Sequence, residues 1–303
     1  MDRKLIMLMG IPGSGKSTVA ARIAKQEYGY VVSSDQTRKE LFGDESVQGD
    51  PAKVFALVHK KIFALLDEEF TVVYDATNIN AKKRMAFVNA VRAKYEDDVE
   101  CICVCVLCHP EVAIERDKAR SRTVGAKVIE KMVRGFQAPG YNEGWDLIKY
   151  EWTSDMLYDM SNVLRVARDF NQKNPHHTAT LGEHMAKAAH HAKDTNLVEM
   201  AAAYHDIGKL FTQVFGDDGV AHYYDHASVG AYVYLCSNRA FETADNFGKP
   251  GIVTEISSLI CWHMIPYQYR TKGEFFHWTA KRRMPTNFAN DLWELHEADL
   301  AAH

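Results

Sequence analysis

The chain contains no apolar run near the roughly 18 residues that a membrane span needs, so none is expected anywhere in its 303 residues. It also lacks a Gly/Pro/Ser-rich linker, a low-complexity tract, an internal repeat and an amphipathic membrane segment. With 47% hydrophobic and 25% charged residues, disorder is excluded and a globular protein expected. Strong charge of one sign is missing too. The net charge of −4 rules out a generally basic nucleic-acid coat. Up to residue 153 there are 23 Lys+Arg against 22 Asp+Glu, and beyond it 13 against 18, so any nucleic-acid contact must come from local patches. The first apolar run begins at Leu5, which leaves no room for a signal peptide, and a cytoplasmic location is expected.

Cysteine is scarce outside one stretch, Cys101, Cys103, Cys105 and Cys108. The spacing Cys105-Val106-Leu107-Cys108-His109 fits haem attachment, and the cluster could also serve zinc. Against both, the cysteines alternate inside a β-branched run of the kind found in buried parallel strands, where cysteine behaves as a small hydrophobe. A core strand is the reading.

What the chain does have is Gly10-Ile11-Pro12-Gly13-Ser14-Gly15-Lys16-Ser17-Thr18, which satisfies G-x-x-x-x-G-K-[ST] at every fixed position. An apolar run, Leu5 to Met9, precedes it, and an alanine-rich helical segment, Val19 to Lys25, follows. Gly13, Ser14, Gly15 and Thr18 would let backbone N–H groups curl round a polyphosphate at a helix N-terminus. Lys16 would reach the β- and γ-phosphates, and the Ser17 hydroxyl would ligate Mg²⁺. ATP or GTP is the expected ligand.

Further apolar runs at Tyr30 to Ser33, Thr71 to Tyr74, Cys101 to Leu107 and Leu147 to Glu151 alternate with helical patterns. That alternation predicts an α/β domain with a parallel sheet and helices on both faces. Ligands of such sheets lie beyond the carboxyl ends of the strands. Asp35 sits at one such end, either as a general base for an attacking hydroxyl or as the cap of a helix starting at Gln36. Arg38, one turn on, is read as an acceptor-phosphate contact or a surface arginine. Asp75, after the third strand, and Asn78 are candidates for Mg²⁺ or substrate, with capping by Asn78 or Asn80 as the alternative. Arg116, Arg120 and Arg122 form a segment that can close over a transferring phosphate, or a solvated helix face.

These separated pieces, together with Glu143-Gly144-Trp145-Asp146, resemble the polynucleotide-kinase type of P-loop phosphotransferase over about the first 150 residues. The resemblance implies transfer of the ATP γ-phosphate to a 5′-hydroxyl of RNA or DNA. Asp35 would be the base, Arg38 the acceptor contact, Arg120 the lid arginine nearest the transferring group, and Arg116 and Arg122 further nucleotide contacts.

From Ser154 the pattern turns helical, with segments at 155–167, 181–192, 197–206, 227–236, 252–263 and 287–300, and no strand-like run. Ten of the fourteen histidines fall between His176 and His277. In Ala203-Tyr204-His205-Asp206-Ile207-Gly208-Lys209 an imidazole and a carboxylate adjoin at the end of an apolar helix, good ligands for a first-row divalent ion. His184 and Asp299 offer the two further ligands. The set resembles the HD phosphohydrolase superfamily and implies an all-α HD domain following the P-loop domain, divided as 1–153 and 154–303. The resemblance also implies one or two ions such as Mn²⁺, Co²⁺, Ni²⁺, Fe²⁺ or Zn²⁺. His226 and His263 fall where binuclear members place extra ligands, though they could equally bind phosphate. Two metals would hold attacking and leaving oxygens together and supply hydroxide, with Asp206 at the centre of the chemistry. His177 is a candidate substrate contact, and Lys209 is a phosphate contact or a helix cap. Tyr267, Tyr269, Phe275, Phe276 and Trp278, interleaved with cations, suit either single-strand binding or a packed connector.

The expectation is a bifunctional nucleic-acid end-healing enzyme. Its kinase half would act on 5′-hydroxyl ends, its hydrolase half on 2′,3′-cyclic phosphates or 3′-phosphates, with a ligase acting downstream. Alternatives are a nucleoside or nucleotide kinase fused to a nucleotide phosphohydrolase, and a nucleotide sensor. The short join at 151–154 predicts a fixed relation between the halves.

Overall fold

The computed structural model describes residues 3–120, 122–155, 158–175, 178–192, 196–238 and 251–303. The chain forms two compact units, Met1–Met132 with Glu143–Met156, and Val133–Asn142 with Leu157–His303.

The first unit is built on five strands, β1 (Arg3–Met9), β2 (Tyr30–Ser33), β3 (Val72–Asp75), β4 (Val99–Leu107) and β5 (Leu147–Trp152). They hydrogen-bond in the order β2-β3-β1-β4-β5, every pair parallel. The most continuously apolar strands, β1 and β4, occupy interior positions, as a sheet covered on both faces requires. On one face Ile6, Leu8, Val73, Ile102, Val104 and Val106 pack against Val19, Ala20 and Ala24 of α1 (Lys16–Gln26). Because strand side chains alternate, Tyr74 faces the other way. There it meets His59 and Phe87 of α3 (Pro51–Asp67) and α4 (Ala81–Tyr95), α2 (Ser34–Phe42) having intervened after β2. The three strand cysteines share that second face by the same alternation. All four clustered cysteines are buried, and burial pushes the Cys101 and Cys108 thiols up to about 11.

After β4 come α5 (Pro110–Lys118), α6 (Ala126–Arg134) and a 3₁₀ turn at Tyr141–Glu143. The unit is tied by a buried ion pair. The Arg84 guanidinium donates to both oxygens of Glu143 at 2.7 and 2.6 Å and to the Asn78 carbonyl, and the Trp145 indole donates to Glu143 as well.

The second unit comprises α7 (Met160–Asp169), α8 (Leu181–His191), α9 (Asn196–Tyr204), α10 (Lys209–Thr212), α11 (His226–Ser237), α12 (Ile252–Trp262), α13 (Lys272–Lys281) and α14 (Thr286–Ala301). Helix α11 is buried all round from Val229 to Cys236, the mark of a central helix. Segment 133–142 belongs to this unit: Phe136 is fully buried against Tyr232, and the Ser258 hydroxyl donates to the Pro139 carbonyl. One departure from an all-helical pattern is a small antiparallel hairpin, β6 (Val214–Phe215) with β7 (Ala221–His222). Helix α7 starts at Met160, capped by the Asp159 side chain, and the earlier start expected at 155–157 includes positions outside the described residues. No helix among the described residues is long and apolar enough to cross a membrane.

Removing one partner of a buried ion pair strands the other charge. Glu143→Ala is therefore expected to cost about 3–5 kcal/mol in denaturant unfolding, whereas replacing Arg84 and Glu143 together by Met and Leu is expected to recover most of that loss.

Candidate functional site

In the first unit the glycine loop runs from the end of β1 into α1. Gly13 and Gly15 have φ of +78° and +88°, conformations that glycine adopts without strain, and a Cβ on Gly13 would strike the Ala113 backbone. Gly15 is the N-cap of α1 but offers no side-chain cap, and the first turn holds no acid. The first amides of the helix are thus left for an anion. Ser14 is fully buried, and its Oγ has no hydrogen-bond partner.

A cleft of about 350 Å³ opens at this loop, lined among others by Gly13, Gly15, Lys16, Ser17, Thr18, Asp35, Arg38, Asp75 and the three arginines Arg116, Arg120 and Arg122. The expected residues are therefore gathered from four elements, α1, α2, β3 and α5, and the loops between them. Lys16 Nζ donates to the Ile11 carbonyl at 2.7 Å; burial draws it down to about 8, against the pull of Asp75 and Asp35. Asp75 is buried and raised above the usual carboxylate range by desolvation, which a hydrogen bond from Ser17 partly offsets. A serine hydroxyl and a carboxylate touching beside a phosphate loop suit Mg²⁺.

Asp35 lies in the first turn of α2, and the cap is Ser33, whose hydroxyl accepts from the Asp35 and Gln36 amides. The capping role considered for Asp35 thus belongs to its neighbour. Its carboxylate pairs instead with Arg38 at 2.6 Å and Arg122 at 3.3 Å. Asn78 is turned away from the cleft; its amide donates to the Leu8 carbonyl, and Asn80 caps α4. Helix α5 ends at Lys118, so Arg120 and Arg122 stand on the following loop. That loop is pinned by buried Asp117, which accepts from the Val124 and Gly125 amides. Thr153 donates to the Ser14 carbonyl at 2.6 Å and accepts from Arg116 at 3.1 Å, tying the glycine loop to the lid arginine. Nothing in the local sequence marks Asp117 or Thr153.

In the second unit His184 comes from α8, His205 and Asp206 from the turn after α9, His226 from the start of α11, His263 from the end of α12, and Asp299 from α14. All six are buried or nearly so. Gly208 explains one approach: a Cβ there would collide with the His226 carbonyl and the Gly230 amide. Asp225, at φ +63°, turns the chain into α11 so that His226 enters the cluster.

Asp206 divides its oxygens. Oδ2 lies 3.4 Å from Nε2 of both His184 and His205, and Oδ1 lies 3.1 and 3.6 Å from Nε2 of His226 and His263. Asp299 Oδ1 approaches His184 and His205 at 2.9 and 3.3 Å. Three of the imidazoles have Nδ1 on a carbonyl three residues back: His205 on Ala202, His226 on Tyr223, His263 on Ile260. That contact makes Nδ1 the protonated nitrogen and aims the Nε2 lone pair inward. The inward atoms are close but poorly aligned with one another. His205 Nε2 and Asp299 Oδ1 are buried without a well-formed hydrogen bond, and the Nε2 atoms of His226 and His263 face each other at 3.2 Å. Lone pairs pointed together in a buried pocket fit a cation. Ligand atoms of His184, His205 and Asp206, and those of Asp206, His226 and His263, lie within 4.8 Å of one another.

Burial opposes charge on His205, but Asp206 and Asp299 outweigh it and lift the imidazole to about 10; His184 is raised as well, while Asp206 and Asp299 are held well below the ordinary carboxylate range. Lys209 points at Asp206 Oδ2 (2.6 Å) and Gln172 (3.1 Å), so its ammonium sits at the cluster rather than on a helix end. Tyr267 donates its hydroxyl to Asp299 Oδ2 at 2.8 Å, leaving Oδ1 for the cluster. Of the rest of the aromatic stretch, Phe275 is fully buried between Trp278 and Trp293, Tyr269, Phe276 and Trp278 are half-buried, and Arg282 lies over Trp278. His177 lies outside the described residues.

Residues 5–139 match the family model of the AAA domain, and residues 174–292 that of the HD domain. Residues 5–139 thus form a P-loop domain similar to the AAA domain, and residues 174–292 fall in the helical part that is similar to the HD domain. Among solved structures it is similar to a chain of the Pnkp1/Rnl/Hen1 RNA repair complex (24% identity over 44% of this chain and 43% of that one, TM-score 0.38). It is also similar to a gluconokinase from Sinorhizobium meliloti (16%, 51% and 85%, 0.36) and to the APS kinase of Mycobacterium tuberculosis (20%, 53% and 93%, 0.36). The match spans about two fifths of the length of the repair-complex chains.

A metal ion must displace the His205 proton, so uptake near neutral pH is expected to release protons, measurable by titration calorimetry in buffers of different ionisation heat. Apparent affinity should climb about tenfold per pH unit for each proton displaced, levelling off near pH 10. In the metal-free protein that proton stabilises the fold. Its contribution is complete below the unfolded value of 6.5 and lost as pH rises through about 10. Tyr267→Phe, which keeps the ring on His296 and removes only the donor, is expected to weaken metal binding by roughly 10–100-fold in equilibrium dialysis.

Proposed function

We propose that the chain heals both ends of a broken nucleic-acid strand, phosphorylating a 5′-hydroxyl with ATP–Mg²⁺ and hydrolysing a 2′,3′-cyclic phosphate or 3′-phosphate. The observation that carries this is the company Asp35 keeps. A carboxylate facing Lys16 across one cleft is paired with Arg38 and Arg122, and Arg116 and Arg120 line the same walls. That is more positive charge than a nucleotide's polyphosphate alone calls for, and a bare nucleoside offers Arg38 no phosphate to hold. An acceptor that is itself a phosphodiester uses all of it.

In the transfer, the 5′-hydroxyl gives its proton to Asp35 as its oxygen bonds to the γ-phosphorus. The bond from that phosphorus to the bridging oxygen breaks and ADP leaves. Lys16 and Arg120 balance the charge on the transferring group, and Ser17 with Asp75 would hold Mg²⁺. Asp117 anchors the chain beyond the lid arginines by accepting from the Val124 and Gly125 amides.

In the HD domain His184, His205, Asp206 and Asp299 would hold one ion and Asp206, His226 and His263 a second. Ions bound there supply activated water at neutral pH and neutralise phosphate charge. The protein's own part is orientation. Tyr267 and the three backbone carbonyls fix the ligands, and Lys209 holds Asp206. Water adds at phosphorus, the ester P–O bond breaks, and the departing oxygen takes a proton. We place the enzyme in the cytoplasm, with a ligase consuming its 5′-phosphate and 3′-hydroxyl products.

The test is end analysis of an oligonucleotide bearing a 5′-hydroxyl and a 2′,3′-cyclic phosphate. Lys16→Ala is expected to lower 5′ phosphorylation at least roughly 10²-fold while sparing the 3′ reaction, and Asp206→Ala to do the reverse. Faster phosphorylation of free nucleosides than of the oligonucleotide would overturn the acceptor assignment, and loss of both reactions from either substitution would overturn the independence of the two sites.

A further inference from the structure

Resting on the metal-centre reading above, we infer that His303 is an additional donor to the first ion position, which thereby takes five protein donors: three imidazoles and two carboxylates. The position of His303 follows from α14. Asp299 and His303 are four residues apart, and the helical turn is continued past Ala301 by the Ala302 amide on the Asp299 carbonyl and the His303 amide on the Leu300 carbonyl. The two side chains therefore share a face. His303 Nε2 comes within 3.9 Å of Asp299 Oδ1, and its ring centroid is 4.8 Å from that of His184. Ligand atoms of His184, Asp299 and His303 all lie within 4.8 Å of one another, as do those of His184, His205 and Asp206.

His303 Nε2 stands toward the same Asp299 oxygen that His184 and His205 approach and that lacks a well-formed hydrogen bond. Tyr267 already occupies the other oxygen, so Asp299 presents Oδ1 alone to the three imidazoles. His303 is also the one exposed member of the set. A position with three imidazoles and two carboxylates selects late first-row divalent ions over Mg²⁺. The Asp206–His226–His263 position, with fewer donors, keeps more coordination free for substrate oxygens and water.

The full-length protein, stripped of metal and titrated with Co²⁺, reads this directly by equilibrium dialysis and visible absorption. His303→Ala is expected to weaken the tighter Co²⁺ site by roughly 10–100-fold and to change the position and strength of the cobalt bands, because a nitrogen donor is lost. His303→Gln, which restores an oxygen donor, is expected to regain part of the affinity with bands unlike either parent. His191→Ala, removing an exposed histidine at the end of α8, should change neither. A His303→Ala protein with wild-type affinity and wild-type bands overturns the inference while leaving the metal centre standing. A wild type that takes up no Co²⁺ overturns both.

Discussion

The second unit depends on keeping two carboxylates charged inside a protein. Asp206 and Asp299 are almost wholly buried, and an isolated buried carboxylate would sooner take a proton than pay for its desolvation. They stay ionised because histidines and a lysine crowd them from four helices and two turns, and because one of those histidines, His205, is driven to hold a proton to about pH 10. A proton is a poor substitute for what the geometry offers. It satisfies one line between two atoms, whereas here several lone pairs converge on each of two points. The helices of the HD domain can be understood as a frame that brings those lone pairs together, and a divalent ion as the charge that lets them stay.

The P-loop unit solves the opposite problem. Its glycine loop leaves the N-terminus of α1 without a side-chain cap, and desolvation of half-buried Lys16 lowers its hold on a proton to about 8. Excess positive potential is stored there, restrained by Asp75 and Asp35, until an anion arrives. The same logic governs the arginines. Arg38 and Arg122 are held on Asp35, Arg116 on Thr153.

Much of this was legible in the sequence because it is written in contiguous pieces. All five strands lie where the apolar runs put them, and the cysteines of β4 are core because that interior strand is covered on both faces. The phosphate loop and His205-Asp206 are short motifs whose chemistry is local. Legibility fails where a role depends on who arrives from far along the chain. Thr153 matters because it reaches Ser14, Tyr267 because it reaches Asp299, Asp117 because a loop eight residues on folds back onto it. Segment 133–142 looks like the end of the first domain, yet Phe136 finds its pocket against Tyr232. The cap considered for Asp35 is supplied by Ser33, because α2 begins at Ser34, ahead of the Gln36 start expected, and the serine hydroxyl accepts from the Asp35 and Gln36 amides. The hairpin of β6 and β7 is too short to leave a periodic signal.

Two glycines show why motif residues need not be chemical at all. Gly13 admits the backbone of Ala113, and Gly208 admits the backbone of His226 and Gly230. In each case a side chain of any size would push away the element that completes the site: α5 with the lid arginines behind it in one unit, α11 with His226 in the other. The Ile207-Gly208 step after His205-Asp206 is therefore a distance constraint on the cluster. Asp206 can share its oxygens between two sets of histidines only if α11 crosses within backbone contact of the turn that carries it. Asp225, strained into a left-handed conformation immediately before His226, is the cost of that close crossing. Such strain persists only where surrounding packing dictates it, and here the all-round burial of α11 does so.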